Sequence, residues 1–224
     1  MTTVILTRHG HVEGIDPPRF RGRQQLPLTE LGAAEAEMTA KRVASSWSPV
    51  AVYTSCMERC VATGAAIARA IHVEPVATEN LNDLHYGDCQ WRTHDEVKAQ
   101  WPRLFAQWLS VPHLVRFPNG ESLQDIVLRS ADALRMAIEG FPQETVVLVG
   151  HESVNRALLL QILDQPLSAY WRIAQDPCAI NVFEVTCRSV QVLCVNDTQH
   201  IRLLKKEQPP IVLKTLRDSG SERV

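Results

Sequence analysis

The stretch that most constrains this chain is its beginning. Val4-Ile5-Leu6-Thr7 is a short apolar, β-prone run, and Arg8-His9-Gly10 follows it directly. An apolar run bounded by glycine reads as a buried strand that ends in a loop. In open α/β sheets, ligands bind just beyond the carboxyl ends of the strands. Arginine brings a permanent cation whose planar fork of donors suits phosphate. Neutral imidazole keeps one ring lone pair and is a nucleophile near pH 7. Glycine lets the backbone turn there or approach a ligand closely. Arg8-His9-Gly10 therefore reads either as an anion site holding a nucleophile or as a surface loop with a basic pair. The remaining sequence has to decide between them.

A polar loop follows from His11 to Pro27, with a basic cluster of Arg19, Arg21 and Arg23. Thr29 is placed to N-cap a helix over Glu30–Ser46. Val50–Tyr53 reads as a second strand with Thr54-Ser55 at its tip, and a helix is expected over Met57–Ile71. Val73–Val76 is a third short strand, followed by an irregular polar stretch over Glu79–Arg92. Thr93 and Glu96 form a capping-box pattern, which predicts one helix to about Leu109 with Trp101 and Trp108 in the core. Ser122 and Asp125 open another helix. Thr145–Val149 is a further strand with Gly150-His151 at its tip, and a helix is expected over Val154–Leu163. Ile180–Thr186 and Val190–Val195 read as a hairpin. Strands alternating with helices predict an α/β fold with a largely parallel sheet.

The 224 residues suffice for one sizeable core. No composition shift marks a boundary, so residues 1–207 are expected to form one domain. Residues 208–224 open on two prolines, end polar, and are expected to be a mobile tail. The net charge of -2 carries no electrostatic footprint for nucleic acid. No signal-peptide pattern and no bilayer-length apolar run is present, so no membrane association and a cytoplasmic location are expected. The six cysteines form no CxxC pair and read as reduced thiols, with Cys56 and Cys60 as packing residues.

Three strand tips thus carry suggestive side chains: Arg8 and His9, then Arg59 about one turn beyond Ser55, then His151. If those strands are neighbours, two guanidinium groups and two imidazoles meet at one point. Such a cluster repels itself unless an anion lies in the middle, and a phosphoryl group accepts many charge-assisted hydrogen bonds.

At this point the chain resembles the histidine phosphatase superfamily, also called the phosphoglycerate mutase-like family. The matching blocks are Thr7-Arg8-His9-Gly10, then Leu28–Gly32 with Glu35-Ala36, and Tyr53–Ser55 with Arg59 and Thr63. Leu81–Gly87 with Arg92–His94, Gly120–Ser122 and Val147–His151 complete the ordered set. The resemblance implies a three-layer α/β/α sandwich around a mostly parallel sheet. It implies that His9 takes the phosphoryl group, and that Arg8, Arg59 and His151 bind its oxygens. Asp83, four residues before Gly87, occupies the position of the proton donor; His85, two residues on, is the alternative. No metal and no cofactor is implied, because side chains provide the positive charge. The implied partner is a small phosphorylated metabolite. Arg19, Arg21 and Arg23 could grip a second anionic group of it, or form a solvated loop, and His85 is a further candidate for substrate contact. Asn119, Glu121 and Ser122 are expected to order the site from behind.

The chain departs from the family pattern in several places. The acid is Asp83 where glutamate is commoner, Val12 replaces a hydroxyl residue, Ile15 lies near the place of an asparagine, and Glu152 follows His151 where glycine is common. Three rival readings follow. His9-Gly10-His11 has the spacing of a metal-binding pair. A non-catalytic phospho-ligand-binding protein is conceivable. Within the family the choice is between a hydrolase and a cofactor-dependent mutase; the chain looks short for the closing segments of a mutase, which favours phosphomonoester hydrolysis.

Overall fold

The computed structural model describes residues 1–205; the expected tail over 208–224 lies outside the described residues. Six strands form one sheet in the order β3-β2-β4-β1-β5-β6. They are β1 (Thr2–Arg8), β2 (Pro49–Thr54), β3 (Pro75–Ala77), β4 (Thr145–Gly150), β5 (Ile180–Val185) and β6 (Val190–Asp197). The pairings β1–β4, β2–β4 and β2–β3 are parallel, and β5 and β6 add antiparallel at one edge. The sheet is therefore mostly parallel, as expected. β1 and β4 lie at its centre, and their near-unbroken apolar sequences are what burial on both faces requires.

Alternate side chains of these strands enter different cores. Val4, Leu6, Val146 and Leu148 pack on one face with α5 (Leu123–Gly140) and α6 (Glu152–Ile162). Ile5, Val147 and Val149 pack on the other with α1 (Glu30–Ser46) and α2 (Glu58–Ile71). The result is a three-layer α/β/α sandwich. The Thr29 hydroxyl accepts from the Gly32 N–H and caps α1 at the predicted residue.

Some boundaries differ from expectation. The helix expected over residues 93–109 is two helices, α3 (His94–Gln100) and α4 (Pro102–Ser110), meeting at Trp101. Pro102 causes the break: it lacks an N–H and disfavours helical backbone at the preceding residue, so it starts a new helix. Trp108 is buried as expected, whereas Trp101 is only half-buried against the core. β3 begins two residues later than Val73, and α6 begins at Glu152 rather than Val154. The capping box of α3 is present, with Thr93 and Glu96 bonded reciprocally. The six cysteines are free thiols.

Candidate active site

The strand register itself assembles the site. Val149 of β4 lies opposite both Thr7 of β1 and Thr54 of β2, and Gly150 lies opposite Arg8. Just past the strand ends, His9 N–H donates to the Gly150 carbonyl at 3.1 Å, and Ser55 N–H donates to the Val149 carbonyl at 3.1 Å. His9, Ser55 and His151 are thus fixed at one edge of the sheet, and Arg59 sits in the first turn of α2 beside them.

His9 is buried, and its Nδ1 lies 2.7 Å from the carbonyl of Gly10. That carbonyl can only accept, so the network assigns the proton to Nδ1 and the lone pair to Nε2. Arg59 Nε donates to this Nε2 at 3.2 Å. The His151 ring packs edge-on, 5.2 Å away. Burial, then the charges of Arg59, His151 and Arg8, hold His9 well below the usual imidazole pKa. Burial and the neighbouring arginines do the same to His151. Both rings are therefore neutral near pH 7. His151 Nε2 lies 2.8 Å from the Ser55 hydroxyl, which itself donates to Asn82. His151 Nδ1 is 3.6 Å from Asp83. The thiol of Cys60 packs 3.4 Å from His151 Nε2; burial pushes it up to about 12, so it remains a neutral packing group.

Arg59 is fully buried. Its NH1 donates to the Gln24 carbonyl at 2.8 Å, and its NH2 donates to the Gly22 carbonyl at 2.6 Å and to Asp83 Oδ2 at 3.0 Å. Arg8 donates from NH1 to the Gln175 carbonyl and pairs with Glu152 at 3.2 Å. Its Nε is buried without a partner among the described residues. A buried, unsatisfied donor on a cation is costly, and an arriving anion would satisfy it.

Asp83, like Glu152, brings a carboxylate to this cluster. Besides Arg59, it accepts from the Ser153 hydroxyl and from the Leu84 N–H. His85 is tied through its backbone to Glu121, which accepts from the His85 N–H at 2.9 Å and donates its own N–H back. Glu121 also receives Arg23 and Arg129, and Arg129 donates to the Asp83 carbonyl at 3.0 Å. Glu121 therefore braces the segment that carries Asp83. Ser122 instead pairs with Asp125 at the start of α5, and Asn119 binds Asp88.

The three arginines of the polar loop have separate fates. Arg19 stacks on Trp91 and donates to its carbonyl. Arg23 serves Glu121. Arg23 also donates to the Asp83 carbonyl at 3.4 Å, whereas Arg21 approaches Glu152 at 3.5 Å. The two rings of His9-Gly10-His11 face different partners: His11 Nδ1 lies 2.9 Å from the Thr29 hydroxyl. Val12, where the family commonly has a hydroxyl, is fully buried in the core.

Two glycines let the His9 loop lie against the start of α1. A Cβ on Gly10 would sit 2.4 Å from the Gly32 carbonyl, and one on Gly32 would sit 2.0 Å from the His11 carbonyl. Gly10 N–H donates to the Thr63 hydroxyl at 3.1 Å, which joins the loop to α2.

Several residues escape the sequence reading, Glu152 entering it only as a departure from the family pattern. Glu152, Ser153 and Arg156 follow His151 within about one turn, so the strand-tip argument that selects His151 already points at them. Asn82 carried the same kind of signal, being next to Asp83. Arg129 and Gln175 carry none, because only tertiary packing brings them close.

Comparison with known proteins agrees with this geometry. The family model described as histidine phosphatase superfamily (branch 1) matches residues 4–198. Phosphoserine phosphatase 1 of Hydrogenobacter thermophilus is 28% identical over 201 residues, covering 90% of this chain and 95% of its own. The metal-independent phosphoserine phosphatase of Arabidopsis thaliana is 30% identical over 72% of this chain and 69% of its own. The structure of Bacillus stearothermophilus YhfR superposes with a TM-score of 0.84 at 30% identity, covering 90% of this chain and all of that one.

Proposed function

The chain belongs to the histidine phosphatase superfamily and is a phosphatase of that type, and we propose that it hydrolyses small phosphomonoesters through a phosphohistidine on His9. The observation that carries this reading is the placement of His9, with Nε2 3.2 Å from the Arg59 guanidinium and Nδ1 on the Gly10 carbonyl.

In the first step, Nε2 attacks phosphorus and the P–O bond to the alcohol breaks. Arg8 and Arg59 hold the non-bridging oxygens, and His151 joins them by turning its ring N–H from Ser55 to the phosphoryl group, which takes the place of His9 Nε2 as acceptor for Arg59. One well-placed donor of this kind contributes roughly 10²–10³ in rate, by analogy with oxyanion holes. Asp83 enters this step as the carboxylic acid and gives its proton to the departing alkoxide, a step worth roughly 10²–10⁴-fold. In the second step, Asp83 removes a proton from water, the oxygen attacks phosphorus, and His9 is released with inorganic phosphate. Dividing one hard displacement into two easier ones is the gain of covalent catalysis. The positive charge that phosphoryl transfer needs comes from Arg8 and Arg59. Arg21 is the candidate among the loop arginines for contact with the rest of the substrate.

The test is phosphate release from a panel of phosphomonoesters, with phosphoserine, sugar phosphates and an aryl phosphate among them. Wild type should release phosphate in the presence of chelator, and His9→Ala should not. Interconversion of phosphoglycerates faster than phosphate release would instead favour the mutase reading.

A further inference from the structure

Each of the two arginines assigned to the phosphoryl group already bears a carboxylate. Asp83 lies 3.0 Å from Arg59, and Glu152 lies 3.2 Å from Arg8. Asp83 has a part in the reaction proposed above; Glu152 has none. Glu152 is the first residue of α6, directly after His151. It also pairs with Arg156 at 2.7 Å and with Arg21 at 3.5 Å. Arg156 is itself fixed, donating to the Ile173 carbonyl and lying about 5 Å from the ring centres of Tyr170 and Trp171.

Exposure distinguishes the members of this network. The Glu152 side chain is 30% exposed, against 5% for Arg8, 13% for Arg21 and 11% for Arg156. Glu152 is thus the most exposed member of the network, and the one nearest to an incoming molecule. Burial works against its charge, but Arg156, Arg8 and Arg21 outweigh that and hold the carboxyl at about 2. Glu152 cannot donate a proton near neutral pH; it is a fixed negative charge beside the phosphoryl arginine.

Resting on the phosphatase reading above, we propose that Glu152 is a specificity-determining residue. It selects phosphomonoesters that bring a hydroxyl or ammonium group beside the phosphate, and it disfavours those that bring a carboxylate. A hydroxyl or ammonium donates to a remaining lone pair of the Glu152 carboxylate. A substrate carboxylate meets a like charge and must also compete with Glu152 for Arg21 and Arg156. Removing the charge frees Arg21 and Arg156 for an acidic substrate, so the direction of the effect is fixed.

Glycerol 3-phosphate and 3-phosphoglycerate differ only in a terminal hydroxymethyl or carboxylate group and make the test pair. Their dissociation constants are measured by calorimetry in a His9→Ala background, where nothing turns over. Glu152→Gln should shift the ratio of the two constants toward 3-phosphoglycerate by about tenfold or more, while Glu152→Asp, which keeps the charge, should stay within about threefold. A Glu152→Gln ratio within about threefold of the parent, with both ligands weakened together or neither bound, overturns the proposal and leaves Glu152 as a brace for Arg8. Turnover by the protein with His9 intact is measured separately, so failure of the phosphatase reading shows there and not in the binding ratio.

Discussion

Arg59 donates from Nε to Nε2 of His9 across 3.2 Å, while the other ring nitrogen of His9 is fixed on the Gly10 carbonyl. In the proposed mechanism the same guanidinium marks which nitrogen is nucleophilic and stands where negative charge is held during transfer. It also helps keep the ring unprotonated, because a cation so close opposes a second proton.

The first prediction is about that proton. His9 should remain neutral at pH 6.5, where an ordinary imidazole is about half protonated. Nitrogen chemical shifts of the ring, assigned by comparison with His9→Ala, read this directly. Equal populations of neutral ring and imidazolium at that pH would contradict the electrostatic account.

Stability should follow the same groups. His9 and His151 have folded-state pKa values below the unfolded one. The unfolded chain therefore binds more protons between those values and about 6.5. Their contribution is complete above that pH and is lost as pH falls through it toward the depressed folded values. Denaturant unfolding at about pH 7.5 and 5.5 should show lower stability at the acid end, and the loss should be smaller in His9→Gln.

Asp83→Asn should damage proton donation and leave phosphoryl binding in place. Hydrolysis of alkyl phosphates should fall by roughly 10²–10⁴-fold. An aryl phosphate, whose leaving group needs no proton, should lose far less in its phosphorylation step. Equal losses for both substrate types would move the acid role away from Asp83, with His85 as the next candidate.

Arg59→Ala should have two consequences. Removing a principal donor to the phosphoryl group should cost roughly 10²–10³ in kcat/KM. The truncation also leaves Asp83 without its buried partner and the Gly22 and Gln24 carbonyls without donors. Breaking a buried pair on one side typically costs about 3–5 kcal/mol, so the unfolding midpoint should drop clearly. Full activity in a destabilised variant would remove Arg59 from the reaction and keep it as a brace.

Much of this arrangement is legible in the residues because it depends on strand ends. Val4–Thr7, Val50–Tyr53 and Thr145–Val149 are recognisable strands, and their tips place His9, the Arg59 turn and His151 at one edge once the strands are neighbours. The helix caps at Thr29, Thr93 and Ser122 are local chemistry and can be read locally. The helix break at Trp101 was also legible through Pro102, but the apolar spacing conceals it. What cannot be read is the division of labour among the arginines. Arg19, Arg21 and Arg23 look alike in the sequence, yet only tertiary packing sends one to Trp91, one to Glu152 and one to Glu121. Glu152 is similar: the sequence marks it only as a departure from glycine after His151, and only the fold puts it on Arg8.

Gly32 allows a test of the scaffold. Replacing a helical glycine with alanine ordinarily stabilises by up to about 1 kcal/mol. Here the added Cβ would meet the His11 carbonyl at 2.0 Å. Gly32→Ala should instead destabilise by roughly 1–3 kcal/mol, as overpacking does, and should lower activity by displacing the His9 loop. Calorimetric melting together with turnover checks both, and a stabilised, fully active variant would refute the packing argument.

The central claim is that His9 becomes covalently phosphorylated. Rapid acid-minimised quenching during turnover of a labelled phosphomonoester, followed by peptide mapping, tests it most directly. The account predicts an acid-labile, base-stable phosphoryl group on the peptide carrying His9, absent in His9→Ala. Steady phosphate release with no label on His9, or wild-type turnover by His9→Ala, would contradict it.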